Sequence, residues 1–432
     1  MVLMAVRSKR RRWHAAAFAA TLLLACAAQA AAKKPAPDSA AEPAPVARIA
    51  VGPLGFLAPS PAYLNARLAW ASLDFIDNGH LLFTFHVNRL MKRLPGEPAE
   101  DDDQMIHVDV LDIASGKVLR QTDWRMHDRG RYLWALKDGA FLVRERNSLF
   151  LTNSGLELRP YLTFDTDLQA VEISPGRGLM LLEVKKVLPS EGGEGEGDAG
   201  GAAPSLLAPP GIRRTRTELL LLRPGTTTAL AHGMVRDPLQ VPLLEDGFVN
   251  VLEGKTSKQW VIEKDQIDKT THEIAEVKSA CTPEMVTLSD GVALARNCPL
   301  NGGDVSAMSA LSVEGQVLWQ GLWQAKYIWP SFEYAEDGSR FAYESLEMNR
   351  DIGVLDSFGE ADVVAQPVGV FDTETGKLEL VKDASPILSE GQNCALSADG
   401  RRFAILRDGA IEVYDLPPVA ASEPSAKKEK RK

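Results

Sequence analysis

Apolar and polar residues alternate in short runs along most of the chain, and turn sequences that contain Gly separate the runs. In one recurring pattern, a short apolar strand ends in an acidic residue or Asn followed by Gly, with Pro-Gly in one copy, and a second apolar strand follows. Asp-Gly and Asn-Gly favour hairpin turns, because Gly and Asn tolerate a positive φ. The pattern occurs seven times, in residues 73–79, 134–139, 171–176, 243–247, 286–291, 332–338 and 395–400.

A second hairpin pattern, with a turn similar to Thr-Gly-Lys, follows some of these segments. It is clearest in residues 110–119 and 370–380, and residues 311–318 are a looser copy. Each unit therefore contains four strands: A, an Asp-Gly turn, B, a loop, C, a Thr-Gly-Lys turn and D. Seven such units predict an all-β fold, a seven-bladed β-propeller of four-stranded antiparallel blades over residues 46–416.

The units resemble the WD40-like and YVTN-type propellers of exported bacterial proteins. The resemblance spans residues 46–416 and rests on two turn sequences, SADG at Ser397–Gly400 and DTETGK at Asp372–Lys377. The paired Trp-Asp and Gly-His sequences of WD40 repeats are missing. The resemblance implies a propeller fold. Because some proteins of this shape open lactones, it also implies a hydrolase as an alternative function.

The last unit contains only three strands, in residues 393–398, 401–406 and 410–415, whereas residues 46–51 form a short apolar strand with no partner nearby. We expect this N-terminal strand to supply the missing outer strand of the last blade. Such an arrangement closes the ring and covers two strand edges that would otherwise be free to aggregate.

The first thirty residues have the pattern of a secretory signal peptide. Basic residues up to Arg12 precede an apolar run over 15–28, and Ala28-Gln29-Ala30 supplies a small-residue cleavage pattern. Two alternatives stay open. Leu23-Leu24-Ala25-Cys26 resembles a bacterial lipobox, which would place a lipid anchor on Cys26, and residues 10–13 resemble a twin-arginine signal. We expect an exported protein that is periplasmic or secreted, or a lipoprotein anchored through Cys26.

The composition is that of a globular protein, with 45% apolar and 25% charged residues and a net charge of −10. Loss of residues 1–30 removes five basic residues, which leaves 43 basic against 58 acidic residues and a net charge of −15. Because nonspecific nucleic-acid binding needs a basic surface, we expect no nucleic-acid partner. No later apolar run is long enough to predict a transmembrane span, and we expect a monomer.

Three further segments differ in composition from the blades. Residues 31–45 are rich in Ala and Pro and predict a linker. Residues 189–211 form an acidic, Gly-rich insertion, and residues 417–432 form a tail with a basic end. Low-complexity segments of this kind bury little apolar surface, so we expect both to be disordered.

Three cysteines remain after the predicted cleavage site. Residues 285–289 and 292–297 predict a hairpin around Asp290-Gly291, which brings Cys281 and Cys298 near each other at its open end. We expect a disulfide between them, since an exported protein occupies an oxidising compartment, with about 3 kcal/mol of stabilisation. Cys394 then lies at a strand position, where we expect a small buried apolar residue.

The longest loops follow strand B, in residues 89–104, 185–216 and 347–366. Because strands alternate in direction, these B–C loops and the links between blades share one face of the disc, which we call the loop face; the A–B and C–D turns share the other, the turn face. Arg and aromatic residues on the loop face are typical of interaction hot spots. Alternatively, the charges pair with one another and with solvent. The candidate binding residues are Arg89, Lys92, Arg93, Trp124, His127, Arg129, Arg131, Tyr327 and Trp329.

Sequence motifs for catalysis or metal binding are not evident. Residues 272–276 have Glu where a zinc-binding H-E-x-x-H motif requires the second His. Residues 101–103 are three Asp residues without the Gly and final Glu of an EF-hand loop. His80 and His86 lie at opposite ends of one predicted strand, about 20 Å apart, which argues against a shared metal ion. We predict no catalytic residue, no metal site and no cofactor.

Two functions are consistent with these patterns. The first is a non-catalytic scaffold of the cell envelope that binds a protein or a small-molecule ligand. The second is a propeller-type lactonase or hydrolase with a site at the mouth of the central channel. The second rests on analogy with a fold that supports many functions.

Overall fold

The computed structural model describes residues 43–60, 69–89, 91–92, 103–127, 130–188, 215–301, 305–353, 356–388 and 390–419. Contacts between Cα atoms divide the chain at Pro43, and all elements below lie in the unit Ala44–Lys432. The predicted signal peptide (1–30), the acidic insertion (189–211) and nearly all of the linker and the basic tail lie outside the described residues.

The described residues contain 30 strands in seven sheets, which we call blades 1 to 7 in chain order. The first strand of the chain is β1 (Ala47–Ala50). Blade 1 consists of β2 (Ala69–Asp77), β3 (His80–Val87), β4 (Gln104–Asp112) and β5 (Val118–Met126). Blade 2 consists of β6 (Leu133–Ala135), β7 (Phe141–Glu145), β8 (Ser148–Thr152) and β9 (Arg159–Thr163). Blade 3 consists of β10 (Leu168–Ile173), β11 (Met180–Val187), β12 (Thr215–Leu222) and β13 (Ala231–Val235).

The second half of the ring repeats the same order. Blade 4 consists of β14 (Leu243–Leu244), β15 (Gly247–Glu253), β16 (Gln259–Gln266) and β17 (Thr271–Lys278). Blade 5 consists of β18 (Glu284–Ser289), β19 (Val292–Asn297), β20 (Val305–Ser312) and β21 (Val317–Gln324). Blade 6 consists of β22 (Tyr327–Tyr334), β23 (Arg340–Met348), the short β24 (Val363–Ala365), β25 (Pro367–Asp372) and β26 (Leu378–Asp383). The link strand β27 (Glu390–Gln392) precedes blade 7, which consists of β28 (Cys394–Leu396), β29 (Arg402–Arg407), β30 (Ala410–Asp415) and β1. Within the described ranges, short 3-10 helices occupy Gly52–Leu54, Lys137–Gly139 and Glu360–Asp362.

The predicted all-β, seven-bladed propeller is confirmed, and its core is divided among the contacts between neighbouring blades. Seven apolar clusters of described residues each join two adjacent blades. Leu82, Val108 and Phe141, for example, lie in the cluster between blades 1 and 2 and are fully buried. A blade therefore depends on both neighbours, and the ring is stable as a whole.

The predicted Asp-Gly turns join the first two strands of the blades. In two of these turns the Asp carboxylate accepts a hydrogen bond from its own turn: Asp77 Oδ1 lies 2.7 Å from the Gly79 amide nitrogen, and Asp337 Oδ1 lies 2.9 Å from the Ser339 amide nitrogen. Gly400 has a φ of +62°, and a Cβ there would lie 2.3 Å from Ser339 Oγ of the neighbouring blade. Gly at this position therefore permits both the left-handed turn and the close contact between blades.

The N-terminal strand closes the ring as predicted. β1 pairs antiparallel with β30 and forms the outer strand of blade 7, with Ile49 opposite Ile411. Ile49 and Val51 are buried in the cluster that joins blades 7 and 1. The link strand β27, which precedes blade 7, joins the sheet of blade 1 at its inner edge, where it pairs in parallel with β2. This second contact was not expected from the sequence, and it brings Gln392 beside Ser72.

The predicted disulfide is present. Cys281, before β18, and Cys298, after β19, are bonded, with Cα atoms 5.6 Å apart. Cys394 in β28 is buried and lies in the apolar cluster between blades 6 and 7. None of the helices in the described ranges is long and apolar enough to cross a lipid bilayer.

Candidate functional site: the central channel

The inner strands surround a central channel with a cavity of about 320 Å³. Six blades and the link strand β27 contribute side chains to its wall. Its ionisable lining residues are Asp74, Arg131, Glu172, Arg177, Glu284 and Glu333, and Trp134, Phe332 and Tyr334 supply aromatic rings. A concave site in which a few polar groups converge is the usual form of a ligand site.

A chain of hydrogen bonds joins two of these carboxyl groups across blade 1, the link strand β27 and blade 6. The Ser72 hydroxyl oxygen lies 3.1 Å from Asp74 Oδ2 and 3.1 Å from Gln392 Oε1. Gln392 Nε2 donates to Glu333 Oε1. The register of β27 against β2, with Ser72 opposite Gln392, positions the middle of this chain.

The direction of the chain indicates where a proton lies. A hydroxyl carries one hydrogen, so Ser72 cannot donate to Asp74 and Gln392 at the same time. Both contacts are satisfied when Asp74 is protonated and donates to Ser72 Oγ, while Ser72 donates to Gln392 Oε1. Glu333, which accepts from the Gln392 amide, is then the ionised end.

Burial affects the ionisation of several carboxyl groups in the same way. Asp74 is 4% exposed. Desolvation, followed by the charge of Glu333, raises the pKa of Asp74 to about 7. Desolvation also raises the pKa of Glu333, and it raises the pKa of Glu172 to about 7. Glu172 is held by the backbone, since the Val241 amide nitrogen donates to its Oε2 at 3.0 Å.

Two arginines enter the channel from opposite ends. Arg131, in the link before β6, lies at the loop-face end, with Nη2 3.8 Å from Glu333 Oε1 and its guanidinium 5.7 Å from the centre of the Trp134 ring. Arg177, in the A–B turn of blade 3, lies at the turn-face end, 3.6 Å from Glu336 Oε2. Asp74 has no basic side chain within salt-bridge distance among the described residues.

The structure distributes the predicted binding residues over three environments. Arg89 and Lys92 are exposed on the loop face, where Arg89 lies 3.6 Å from Asp123 Oδ2. His127 Nδ1 lies 3.0 Å from Asp103 Oδ1, so that side chain is held within the face. Arg131 belongs to the channel. Arg93, Arg129 and the side chain of Trp329 lie outside the described residues.

The two remaining aromatic candidates differ in exposure. Trp124 is 4% exposed and packs between blades 1 and 2, where Nε1 donates to the Leu156 carbonyl at 3.2 Å. The interpretation of Trp124 as a surface residue was therefore wrong: alternation along β5 points this side chain into the core. Tyr327, the first residue of β22, is half-buried, with Lys326 Nζ 4.8 Å from its ring centre.

The described acidic side chains outside the channel form no metal site. In the described ranges, no group of three or more His, Cys, Asp or Glu side chains is placed to hold a metal ion. Asp103, from the acidic run at 101–103, instead accepts from Arg125 and Arg146. Glu344 lies outside the channel wall, in contact with Gln366 and Cys394, and burial raises its pKa to about 8.

Apart from Arg131, the channel residues were not predicted from the sequence. Asp74, Glu333 and Gln392 come from three segments that are separated by long stretches of chain, and each stands in an ordinary strand pattern. The only available signal was an acidic residue within an apolar strand, at Asp74 in 73–77 and Glu333 in 332–334.

No family model matches the chain, and none of the curated proteins does. Among solved structures, Pyrococcus horikoshii acylaminoacyl peptidase is similar at 9% identity and a TM-score of 0.47, over 84% of this chain and 54% of the peptidase. The chain thus spans about half the length of that peptidase. A putative TolB from Agrobacterium tumefaciens is similar at 13% identity and a TM-score of 0.36, over 69% and 95%.

A third similar structure is the WD40 domain of Toxoplasma gondii coronin, at 8% identity and a TM-score of 0.42, over 89% of this chain and 86% of that one. At these identities the similarities concern the shape of the chain alone. The seven sheets and their closure by β1 place the protein among the seven-bladed β-propellers.

Proposed function

We propose that this protein is an exported, non-catalytic scaffold of the cell envelope, and that its ligand enters the central channel from the loop face. The observation that supports the proposal is the cavity of about 320 Å³, in which Asp74, Glu333 and Arg131 converge from separate blades. A closed ring holds such groups in fixed positions, so little ordering is needed when a ligand binds. The exposed Arg89 and Lys92, which follow β3 on the loop face of blade 1, would provide a second, weaker set of contacts.

The proposal is tested by crosslinking the tagged mature protein in its native envelope and identifying what co-purifies. Arg89→Glu with Arg129→Glu should reduce capture of a discrete partner. Lys377→Glu with Arg401→Glu is the matched control, because it makes the same charge change at exposed positions of the turn face. Equal capture by both double variants would contradict a role for the loop face, and the absence of any partner or small-molecule ligand would contradict the scaffold.

Export is tested at the N-terminus of the purified protein. Cleavage after Ala30 would give a chain that begins at Ala31, whereas processing at the lipobox would give a chain that begins with a lipid-modified Cys26. A protein that retains residues 1–30 would contradict export through a cleaved signal.

A hydrolase is the second candidate, and one observation favours it. Asp74 has a pKa of about 7 and lies in the same cavity as the ionised end of the chain, Glu333. Two carboxyl groups in different protonation states are the arrangement that acid–base catalysis uses. A panel of lactones and aryl esters tests this candidate. Turnover that Asp74→Asn abolishes would favour the hydrolase, and no turnover above buffer would rule it out for those substrates.

A further inference from the structure

The channel wall carries more negative than positive groups, and its charges are unevenly placed. Arg131 is shared between Glu333 and the Trp134 ring, and Arg177 is directed to Glu336 and to the Leu136 carbonyl. Neither arginine lies within salt-bridge distance of Asp74, in the middle of β2, although the positive charges of both partly counter the rise in its pKa. The channel therefore contains a buried carboxyl group that has no salt-bridge partner among the described residues, and the more distant arginines offset its burial only in part.

A buried carboxylate without a cation is unfavourable, because its desolvation is not offset. In the free protein this cost is avoided when Asp74 keeps its proton and donates it in a hydrogen bond to Ser72, the first member of the chain to Gln392 and Glu333. A bound cation would offset the same cost by pairing with the ionised carboxylate. Asp74 would then ionise and accept the hydrogen of Ser72, and the proton would leave to solvent.

The remaining wall has the chemistry of a cation site. Trp134, Phe332 and Tyr334 line the same cavity as the carboxyl groups. The guanidinium of Arg131 already lies 5.7 Å from the Trp134 ring centre, which shows that this ring accepts a cation nearby. A flat guanidinium or a primary ammonium group satisfies both a carboxylate and an aromatic face. The cavity has the size of the smallest ligand sites in proteins, which suits one side chain rather than a domain.

We infer that the central channel is a recognition site for an organic cation, a guanidinium or primary ammonium group, which Asp74 and Glu333 bind in exchange for the Asp74 proton. The inference rests on the proposed scaffold function and specifies the ligand class of the same site. The group is carried either on a basic side chain of a partner protein or on a free small molecule, and the recognition chemistry is the same for both.

The test uses the mature protein and three acetylated, amidated tripeptides, Gly-Arg-Gly, Gly-Lys-Gly and Gly-citrulline-Gly, with methylguanidine as a small-molecule arm. Affinities are measured by calorimetry and by tryptophan fluorescence. Citrulline has the shape of arginine without its charge, so we expect the arginine peptide to bind and the citrulline peptide to bind at least about tenfold more weakly. Stronger binding of methylguanidine than of the peptide would identify a free small molecule as the source, and the reverse would identify a protein side chain.

Asp74→Asn imitates the protonated carboxyl group, so it should fold and should weaken arginine-peptide binding about tenfold or more. Glu344→Gln is the matched control, because Glu344 is also a buried carboxyl group with a raised pKa but lies outside the channel. The affinity of Glu344→Gln for the arginine peptide should equal that of the wild type. Between pH 6 and pH 8 the affinity of the wild type for the arginine peptide should rise about tenfold, because at higher pH a smaller fraction of the protein carries the Asp74 proton that the cation must displace. The charged groups that act on Asp74 are Glu333, Arg131 and Arg177.

Equal binding of the arginine and citrulline peptides would overturn the inference, since the charge would then not be recognised. No binding of any probe, together with a partner captured in the envelope experiment, would also overturn it and leave the scaffold function intact. Absence of any captured partner, together with binding of the arginine peptide or of methylguanidine, would instead retain the cation site and contradict only a stable protein partner for the scaffold.

Discussion

The central channel and the loop face both carry charged groups, but they hold them differently. On the face, Arg89 has a side chain that is 65% exposed and lies 3.6 Å from the exposed Asp123, so water screens both charges. In the channel, Asp74 is 4% exposed and has no basic partner in the described ranges. Charged groups therefore make a weak, solvent-screened contact on the loop face. In the channel, by contrast, a buried carboxyl group lacks the water or the ion pair that would stabilise its charge.

The largest difference should appear when the ring is opened. Deletion of residues 46–51 removes the outer strand of blade 7 and the buried side chains Ile49 and Val51, but it leaves every residue of the loop face in place. We expect a loss of several kcal/mol in the free energy of unfolding, from lost apolar burial and an exposed strand edge. Urea denaturation measures it.

Ile49→Ala serves as the graded control for that deletion. It keeps the pairing of β1 with β30 and should cost only about 2–4 kcal/mol. A deletion variant with an unchanged melting temperature would show that β1 does not close the ring.

Substitution of a buried arginine should lower the free energy of unfolding far more than substitution of an exposed one. Arg340 is fully buried between blades 6 and 7, where Nε lies 2.5 Å from Glu379 Oε2 and Nη1 donates to the Gly400 carbonyl at 2.9 Å. Arg340→Leu leaves Glu379 without its partner and should destabilise the protein by about 3–5 kcal/mol. Thermal unfolding checks this value, and a loss below about 1 kcal/mol would show that water reaches Glu379.

The pH dependence of stability should reveal the channel carboxyl group. Because the folded-state pKa of Asp74 is raised to about 7, its contribution to stability is present at low pH and is lost as the pH rises through 7. We expect Asp74→Asn to remove on the order of 2 kcal/mol of the decline in unfolding free energy between pH 5 and pH 8. Urea midpoints at several pH values measure it.

Part of that decline should survive in the Asp74→Asn variant. Burial raises the pKa of Glu172 to about 7 and the pKa of Glu344 to about 8, so both contribute with the same sign. Identical pH profiles for the wild type and the variant would mean that Asp74 is ionised throughout.

The smallest effect should come from the exposed arginine. Arg89→Leu removes an ion pair that solvent already screens, so the free energy of unfolding should change by less than about 0.5 kcal/mol. The comparison with Arg340→Leu, measured in the same buffer, is the direct contrast. A large effect of Arg89→Leu would show that the face is more rigid and less solvated than its exposure indicates.

The ring was predictable from the sequence because its signals are local. Each Asp-Gly turn marks one hairpin, and residues 46–51 stand out as an apolar strand without a neighbour. The Cys281–Cys298 disulfide was predictable for the same reason, since one hairpin brings both cysteines together.

The channel could not be predicted in this way. Asp74, Glu333 and Gln392 meet only after the ring closes and β27 pairs with β2, and each looks unremarkable within its own strand. The burial of Trp124 was missed for a related reason: composition places a residue near a face, but the register of β5 decides which side of the blade its side chain enters. Convergence of distant segments and side-chain register are both properties of the closed fold.

The most direct test of the channel site is the number of protons released when the arginine peptide binds. Calorimetry at pH 6.5 in two buffers with different ionisation enthalpies gives this number. We predict the release of a substantial fraction of one proton from the wild-type protein, and release close to zero in any residual binding to Asp74→Asn. Binding to the wild type without proton release would contradict the exchange of a cation for the Asp74 proton.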